Sequence, residues 1–288
     1  MLILNSRKVI YIHIHKTGGE TVEHLLGKLG AWNDIFLDSE HPGTSQEFEQ
    51  SFGLSKHSTA QEVASVVGMD FWNSCFSWAT VRNPYERMAS LYGFVASMSE
   101  PKLSQIGFPE EASPEEQLKW VESPEYPLKN QWAFPAVRAY LATRGSASPF
   151  SEFLRHPQLC TREPAYQSQF SRLCNAGGDA LLVNRVVKLE FLSGLWPDLC
   201  RDMRIPPIDL LVRNATPNKW KRTVEELFTR AADLELINTI HAEDFRRFNY
   251  ETVGRDPAAR VVAAPVEAAN AQEVLPNAST TTSEAVPV

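Results

Sequence analysis

Lys16, Thr17, Gly18 and Gly19 stand between a run of strand-forming residues, Lys8 to His15, and a stretch that reads as helix from Glu20 to Leu29. A cation, a hydroxyl and two glycines at a strand-to-helix corner are the parts of an anion cradle. Glycine lets the main chain approach a ligand closely. The start of a helix offers N–H groups without intrahelical partners and the positive end of its dipole. The segment therefore reads as a phosphate or sulfate cradle, with Lys16 adding a full charge. It is not a Walker A loop, because there the Lys follows the glycines, whereas Lys16 precedes them. Taken alone, a strand–Gly-Gly–helix corner is equally read as a tight turn.

A second corner has the same plan. Cys75 to Val81 is a short apolar run rich in strand formers, and Arg82-Asn83-Pro84-Tyr85-Glu86-Arg87 follows it directly. Asn83 reads as an N-cap, Pro84 suits the first helical position and Glu86 fits a capping box. The helix continues through Met88, Leu91, Tyr92 and Val95, with Ser90 two turns beyond Asn83. Arg82 thus lies at the C-terminal end of a strand, where α/β proteins bind ligands. By itself it is equally read as the partner of a nearby carboxylate.

Together the two segments, Ile12-His13-Ile14-His15-Lys16-Thr17-Gly18-Gly19-Glu20-Thr21 and Val81-Arg82-Asn83-Pro84-Tyr85-Glu86-Arg87-Met88-Ala89-Ser90-Leu91-Tyr92, resemble the sulfotransferases that use 3′-phosphoadenosine 5′-phosphosulfate (PAPS). The likeness is to the carbohydrate branch, with its heparan and chondroitin enzymes and bacterial relatives. It spans roughly residues 8 to 250 and is most specific in the first ninety. The resemblance implies that Lys16, Thr17, Gly18, Gly19, Glu20 and Thr21 hold the 5′-phosphosulfate, and that Arg82 and Ser90 hold the 3′-phosphate. Later matches are looser: Arg185 to Leu192 with Glu190, Asn214-Ala215-Thr216, and Asp244 with Phe248 and Tyr250. His15 stands where the family has Pro, so either the loop is less rigid or His15 adds a donor beside the sulfate.

A general base must come from elsewhere. His57 lies before a helix expected from Thr59 to Val67, with Ser58 and Gln61 fitting a capping box. An imidazole can accept a hydroxyl proton near neutrality. On residue type alone His57 is an exposed loop histidine; the resemblance makes it the catalytic one. His13 reads as a core histidine of the first strand, His24 lies on the first helix, His41 in a loop, and His156 and His241 on the surface. Lys219-Trp220-Lys221-Arg222 reads equally as a cover for the nucleotide or as a solvated loop. Gln167 and Gln169 are acceptor-contact candidates through the resemblance.

These corners need a scaffold. Strands near residues 8–15, 75–81 and 182–189, alternating with helices, predict an α/β fold. The resemblance sharpens this to a P-loop-like three-layer arrangement with a central parallel sheet. The 288 residues, 43% hydrophobic, support a sizeable core. Residues 1–254 read as one catalytic domain, with 97–127 as a surface insertion and 255–288 as a disordered tail rich in Ala, Val, Pro, Ser and Thr. From Thr223 onward the pattern is helical, with Thr223 and Glu226 fitting a capping box and a break expected near Asp233.

A net charge of −7 argues against broad nucleic-acid binding. Four cysteines without Cys-x-x-Cys spacing, too short a leader before the first strand and no transmembrane-length apolar run predict a cytoplasmic protein with free thiols. No metal-ligand spacing is evident. The expected reaction is sulfuryl transfer from PAPS to a hydroxyl acceptor, a glycan or glycolipid, with His57 and Lys16 catalytic. Two alternatives stay open: a kinase-like phosphotransferase, which would need Mg²⁺ and a strand-end Asp, and a non-catalytic nucleotide- or glycan-binding module.

Overall fold

The computed structural model describes residues 1–38, 40–103, 107–123, 134–211 and 217–254. Its sheet has the strand order β3-β1-β2-β4-β5, with β1 Leu2–Leu4, β2 Val9–Ile12, β3 Ile35–Phe36, β4 Phe76–Val81 and β5 Arg185–Lys188. Strands β2, β4 and β5 are parallel, pairing Tyr11 with Trp78 and Thr80 with Val187. The short β1 and β3 extend one edge antiparallel, an addition the sequence reading lacked.

Around the sheet lie α1 Gly19–Gly27, α2 Pro42–Phe52, α3 Ala60–Val67, α4 Met69–Asn73 and α5 Pro84–Ser99. They are followed by α6 Pro114–Glu122, α7 Pro135–Thr143, α8 Pro149–Arg155, α9 Pro157–Arg162, α10 Leu192–Asp202, α11 Val224–Leu227, α12 Ala231–Ile240 and α13 Ala242–Arg247. Side chains alternate across a strand, and here both faces are covered. Val9, Tyr11, Trp78 and Val187 pack against Val22 and Leu26 of α1 and Trp196 and Leu199 of α10. Ile10, Ile12, Ala79 and Val81 pack on the other side against Val63 and Ala64 of α3. Burial on both faces is why β2 reads as an unbroken apolar run. The result is the three-layer α/β arrangement.

Helix α5 buries Tyr85, Met88, Leu91 and Val95 in a further, mainly helical cluster with α7, α8, α12 and α13. The stretch 97–127, expected as a surface insertion, contributes Leu103, Phe108 and Val121 to this cluster; its polar composition masked three apolar anchors. The expected break near Asp233 falls instead at residues 228–230 and at His241, because Asp233 is buried and held by Ser151 Oγ at 2.8 Å and by Arg155. The Thr223–Glu226 capping box forms as read. Residues 255–288 and Asn214-Ala215-Thr216 lie outside the described residues. Among the described residues no helix is long and apolar enough to cross a membrane, and all four cysteines are free thiols.

Candidate active site

The chain leaves β2 after Ile12 through carbonyls that side chains from elsewhere satisfy. His57 Nδ1 donates to the His13 carbonyl at 3.1 Å, Thr17 Oγ1 to that of Ile14 at 2.8 Å, and Arg87 Nε to that of His15 at 3.1 Å. Lys16 then takes the left-handed conformation, at φ 65°, and Gly18 follows at φ 82°. A left-handed non-glycine residue costs about 1–3 kcal/mol and persists only where its surroundings over-determine it; the side-chain bonds to three successive carbonyls do so here.

The glycines serve packing as much as ligand approach. A Cβ on Gly18 would lie 2.6 Å from Leu189 Cδ1, and one on Gly19 would lie 2.2 Å from His13 Nε2. Gly18 is the N-cap of α1 and makes no side-chain capping bond. Thr17, read as a ligand hydroxyl, is fully buried, and besides the Ile14 carbonyl its Oγ1 contacts Thr80 Oγ1 at 3.1 Å. Its hydroxyl belongs to the fold, leaving only its N–H for an anion. Thr21 is also buried, and its N–H donates to Gly18. The Glu20 carboxylate pairs with Lys56, so this residue too could offer an anion only its main chain.

Lys16 reaches across to α5, where its Nζ sits 3.7 Å from the centroid of the Phe94 ring. Burial, and then repulsion from Arg82, pulls its pKa down to about 7, against the attraction of Glu20. The two corners therefore converge. Arg82 NH2 pairs with Glu86 Oε2 at 2.9 Å on the same helix. Glu86, Ser90 and Phe94 recur every four residues along α5 and are at least partly exposed. At 1.5 Å per residue the stripe from Glu86 to Phe94 is about 12 Å long. Arg82 contacts the Glu86 end of the stripe and Lys16 the Phe94 end, with Ser90 midway along it.

The second corner is held from behind. Asn83 caps α5, its Oδ1 accepting from Tyr85 N–H at 3.0 Å, but Glu86 does not close the expected box. Glu190 takes that place, accepting Asn83 N–H at 2.7 Å and the Tyr250 hydroxyl at 3.0 Å. Gln169, read as an acceptor contact, is fully buried. Arg82 N–H donates to its Oε1 at 2.8 Å and its Nε2 donates to the Arg82 carbonyl at 2.8 Å. Asp244 accepts the N–H groups of Gln169 and Phe170 at 2.9 and 2.8 Å and the Ser168 hydroxyl at 2.6 Å. His241, expected on the surface, is fully buried, its Nδ1 3.3 Å from Asp244 Oδ2.

His57 sits beside the first corner. The capping box lies one residue later than read. Ser58 Oγ accepts from Ser55 N–H at 2.9 Å within the preceding turn, while Thr59 and Glu62 cap α3 reciprocally at 3.1 and 2.7 Å. A carbonyl can only accept, so His57 carries its proton on Nδ1, facing His13, and its lone pair is on Nε2. The His15 ring stacks on it at 3.5 Å between centroids, and that of His13 meets it edge-on at 4.6 Å. Burial, followed by repulsion from His13, holds its pKa well below 6.5. His15, buried and repelled by His57, moves the same way. His15 is thus a stacking platform for His57. His13 behaves as the core histidine expected, 5% exposed with Nδ1 2.7 Å from Glu23 Oε1.

Among the described residues, no hydrogen bond or ion pair of Lys219-Trp220-Lys221-Arg222 reaches Lys16, Arg82 or His57. Arg222 NH1 donates instead to the carbonyls of Lys219 and Lys221, both at 3.1 Å. Sequence reading missed Arg87 altogether, because nothing in composition marks an Arg as fully buried, and it missed the purpose of Gln169 and Glu190, whose partners lie 87 and 107 residues away. The model of the sulfotransferase family matches residues 1–251, and the chain belongs to that family. No curated protein and no solved structure matches it.

Proposed function

We propose that the protein transfers a sulfuryl group from PAPS to a hydroxyl of a carbohydrate or glycolipid acceptor. The observation that carries this reading is that Lys16 and Arg82 both contact one partly exposed stripe of α5, about 12 Å long, with Ser90 midway along it. Two cations on one face of α5, one against Phe94 and one against Glu86, suit a nucleotide carrying anionic groups at its 5′ and 3′ positions. The first-turn N–H groups of α1 would hold the 5′ oxygens, and Arg82 and Ser90 the 3′-phosphate. The donor supplies the activated sulfuryl group.

His57 Nε2 takes the proton from the acceptor hydroxyl. The acceptor oxygen forms its bond to sulfur as the sulfur–oxygen bond to the 5′-phosphate breaks, and the bonding pair leaves with the phosphate oxygen. Lys16 faces that oxygen and stabilises its growing charge, as preorganised cations do in the related transfer of phosphoryl groups. A depressed His57 pKa keeps the imidazole neutral and ready to accept a proton at neutral pH. Glu20 and Glu23 take up the charge of Lys56, the neighbour of His57.

The test is transfer of labelled sulfate from PAPS to a panel of glycans and glycolipids, with Mg²⁺-dependent ATP turnover run in parallel. Labelled acceptor that disappears in Lys16→Ala supports the reading. ATP turnover without sulfate transfer would replace it with the phosphotransferase, and tight nucleotide binding without any transfer would replace it with the binding module.

A further inference from the structure

The donor reading above makes the two corners a pair, and their spacing must be held by something other than the ligand. Arg87 is the only side chain among the described residues that donates to both the His15 carbonyl and the segment behind Arg82. It is fully buried on α5, with Nε on the His15 carbonyl at 3.1 Å and NH1 on the Gln167 carbonyl at 2.8 Å. The first contact is one residue before Lys16, whose left-handed backbone needs outside support. The second is two residues before Gln169, whose side chain clasps both the N–H and the carbonyl of Arg82. Asp244 fixes that segment from the far side through Gln169 and Phe170 N–H. Arg172 closes the circuit, donating to the His57 carbonyl and, at 3.5 Å, to Gln167 Oε1.

We propose that Arg87 is a positioning residue that couples the two anion-binding corners, so that an anion held at Arg82 strengthens the grip of Lys16 on the other end of the same ligand. The physical basis is a short, planar fork. One guanidinium ties two backbone carbonyls from separate loops to a rigid helix, and a lysine could reach only one of them. Such coupling shows as non-additivity between changes at the two ends.

The experiment is calorimetric binding of adenosine 3′,5′-bisphosphate and of adenosine 5′-monophosphate to the full chain, with and without Lys16→Ala, in wild-type and Arg87→Lys backgrounds. In the wild-type background, Lys16→Ala is expected to weaken the bisphosphate at least fivefold more than the monophosphate. In Arg87→Lys that ratio is expected to fall below twofold. A ratio preserved in Arg87→Lys overturns the proposal, as does a wild-type ratio near one. Equal loss of both affinities in Arg87→Lys, with the ratio intact, marks a merely structural role and also overturns it. If Arg87→Lys does not fold, Gln169→Leu, which removes both bonds to the Arg82 backbone and leaves Arg87 in place, carries the same expectation. Failure of the wild-type chain to bind the bisphosphate would instead overturn the donor reading, and the coupling with it.

Discussion

The two corners hold their cations by opposite means. At the first, Lys16 sits in a left-handed backbone, pinned by side chains on the carbonyls before it, and its half-buried side chain lays the ammonium on the Phe94 ring. At the second, Arg82 precedes a regular helix with an Asn cap and a first-position Pro, and its guanidinium is matched by Glu86. The first corner leaves a cation short of solvent and short of a carboxylate, which raises its attraction for an anion and lowers its own proton affinity. The second leaves a cation already balanced, which an incoming anion must win from Glu86. Under the proposed donor reading the two corners would divide labour: the strained corner would meet the charge that changes during reaction, and the regular corner would read a charge that does not.

The largest effect expected is at His57. His57→Ala should lower turnover by about 10²–10⁴ while leaving adenosine 3′,5′-bisphosphate affinity unchanged, read by steady-state kinetics and calorimetry; near-normal turnover would remove it as the base. Lys16→Met should lower turnover by about 10²–10³ and, by removing a desolvated cation, stabilise the fold by about 1 kcal/mol at pH 6 in thermal unfolding. That gain depends on pH with a definite sign. Folded Lys16 gives up its proton near 7, whereas the unfolded side chain keeps it to about 10.5, so wild-type stability rises between those values relative to Lys16→Met. A constant difference from pH 6 to 10 would mean that Lys16 is not desolvated.

Arg82→Ala should weaken adenosine 3′,5′-bisphosphate by about 10–100-fold, the worth of a charge-assisted bond, and 5′-monophosphate by less than about twofold. Equal weakening of both would erase the distinction between the corners. The same contrast predicts a pH profile. The limb at kcat/KM should fall above about pH 7, where free Lys16 loses its proton, with the acid limb well below 6.5 because His57 stays neutral. Lys16→Arg should flatten the alkaline limb. The smallest effect is at Glu86. An exposed pair contributes up to about 1 kcal/mol, so Glu86→Gln should tighten bisphosphate binding by about two- to fivefold; weaker binding would show that Glu86 helps rather than competes.

The sequence alone determined the local chemistry. Val9–Ile12 and Phe76–Val81 are strands because their unbroken apolar runs need cover on both faces, and Asn83-Pro84 starts a helix because its cap and fixed φ are intrinsic to those residues. The cation–glycine corner and the Arg-Asn-Pro corner were legible for the same reason: the type and order of neighbouring residues suffice. Tertiary structure alone decided what those residues face. Thr17 turned its hydroxyl inward to the Ile14 carbonyl, Gln169 became a clasp on Arg82 instead of an acceptor contact, and Arg87 was buried between two loops. His57 gained its tautomer from a carbonyl 44 residues away. Such contacts are invisible along the chain because a hydrogen bond depends on distance and direction in space, and sequence separation fixes neither once the chain has returned to the same sheet edge.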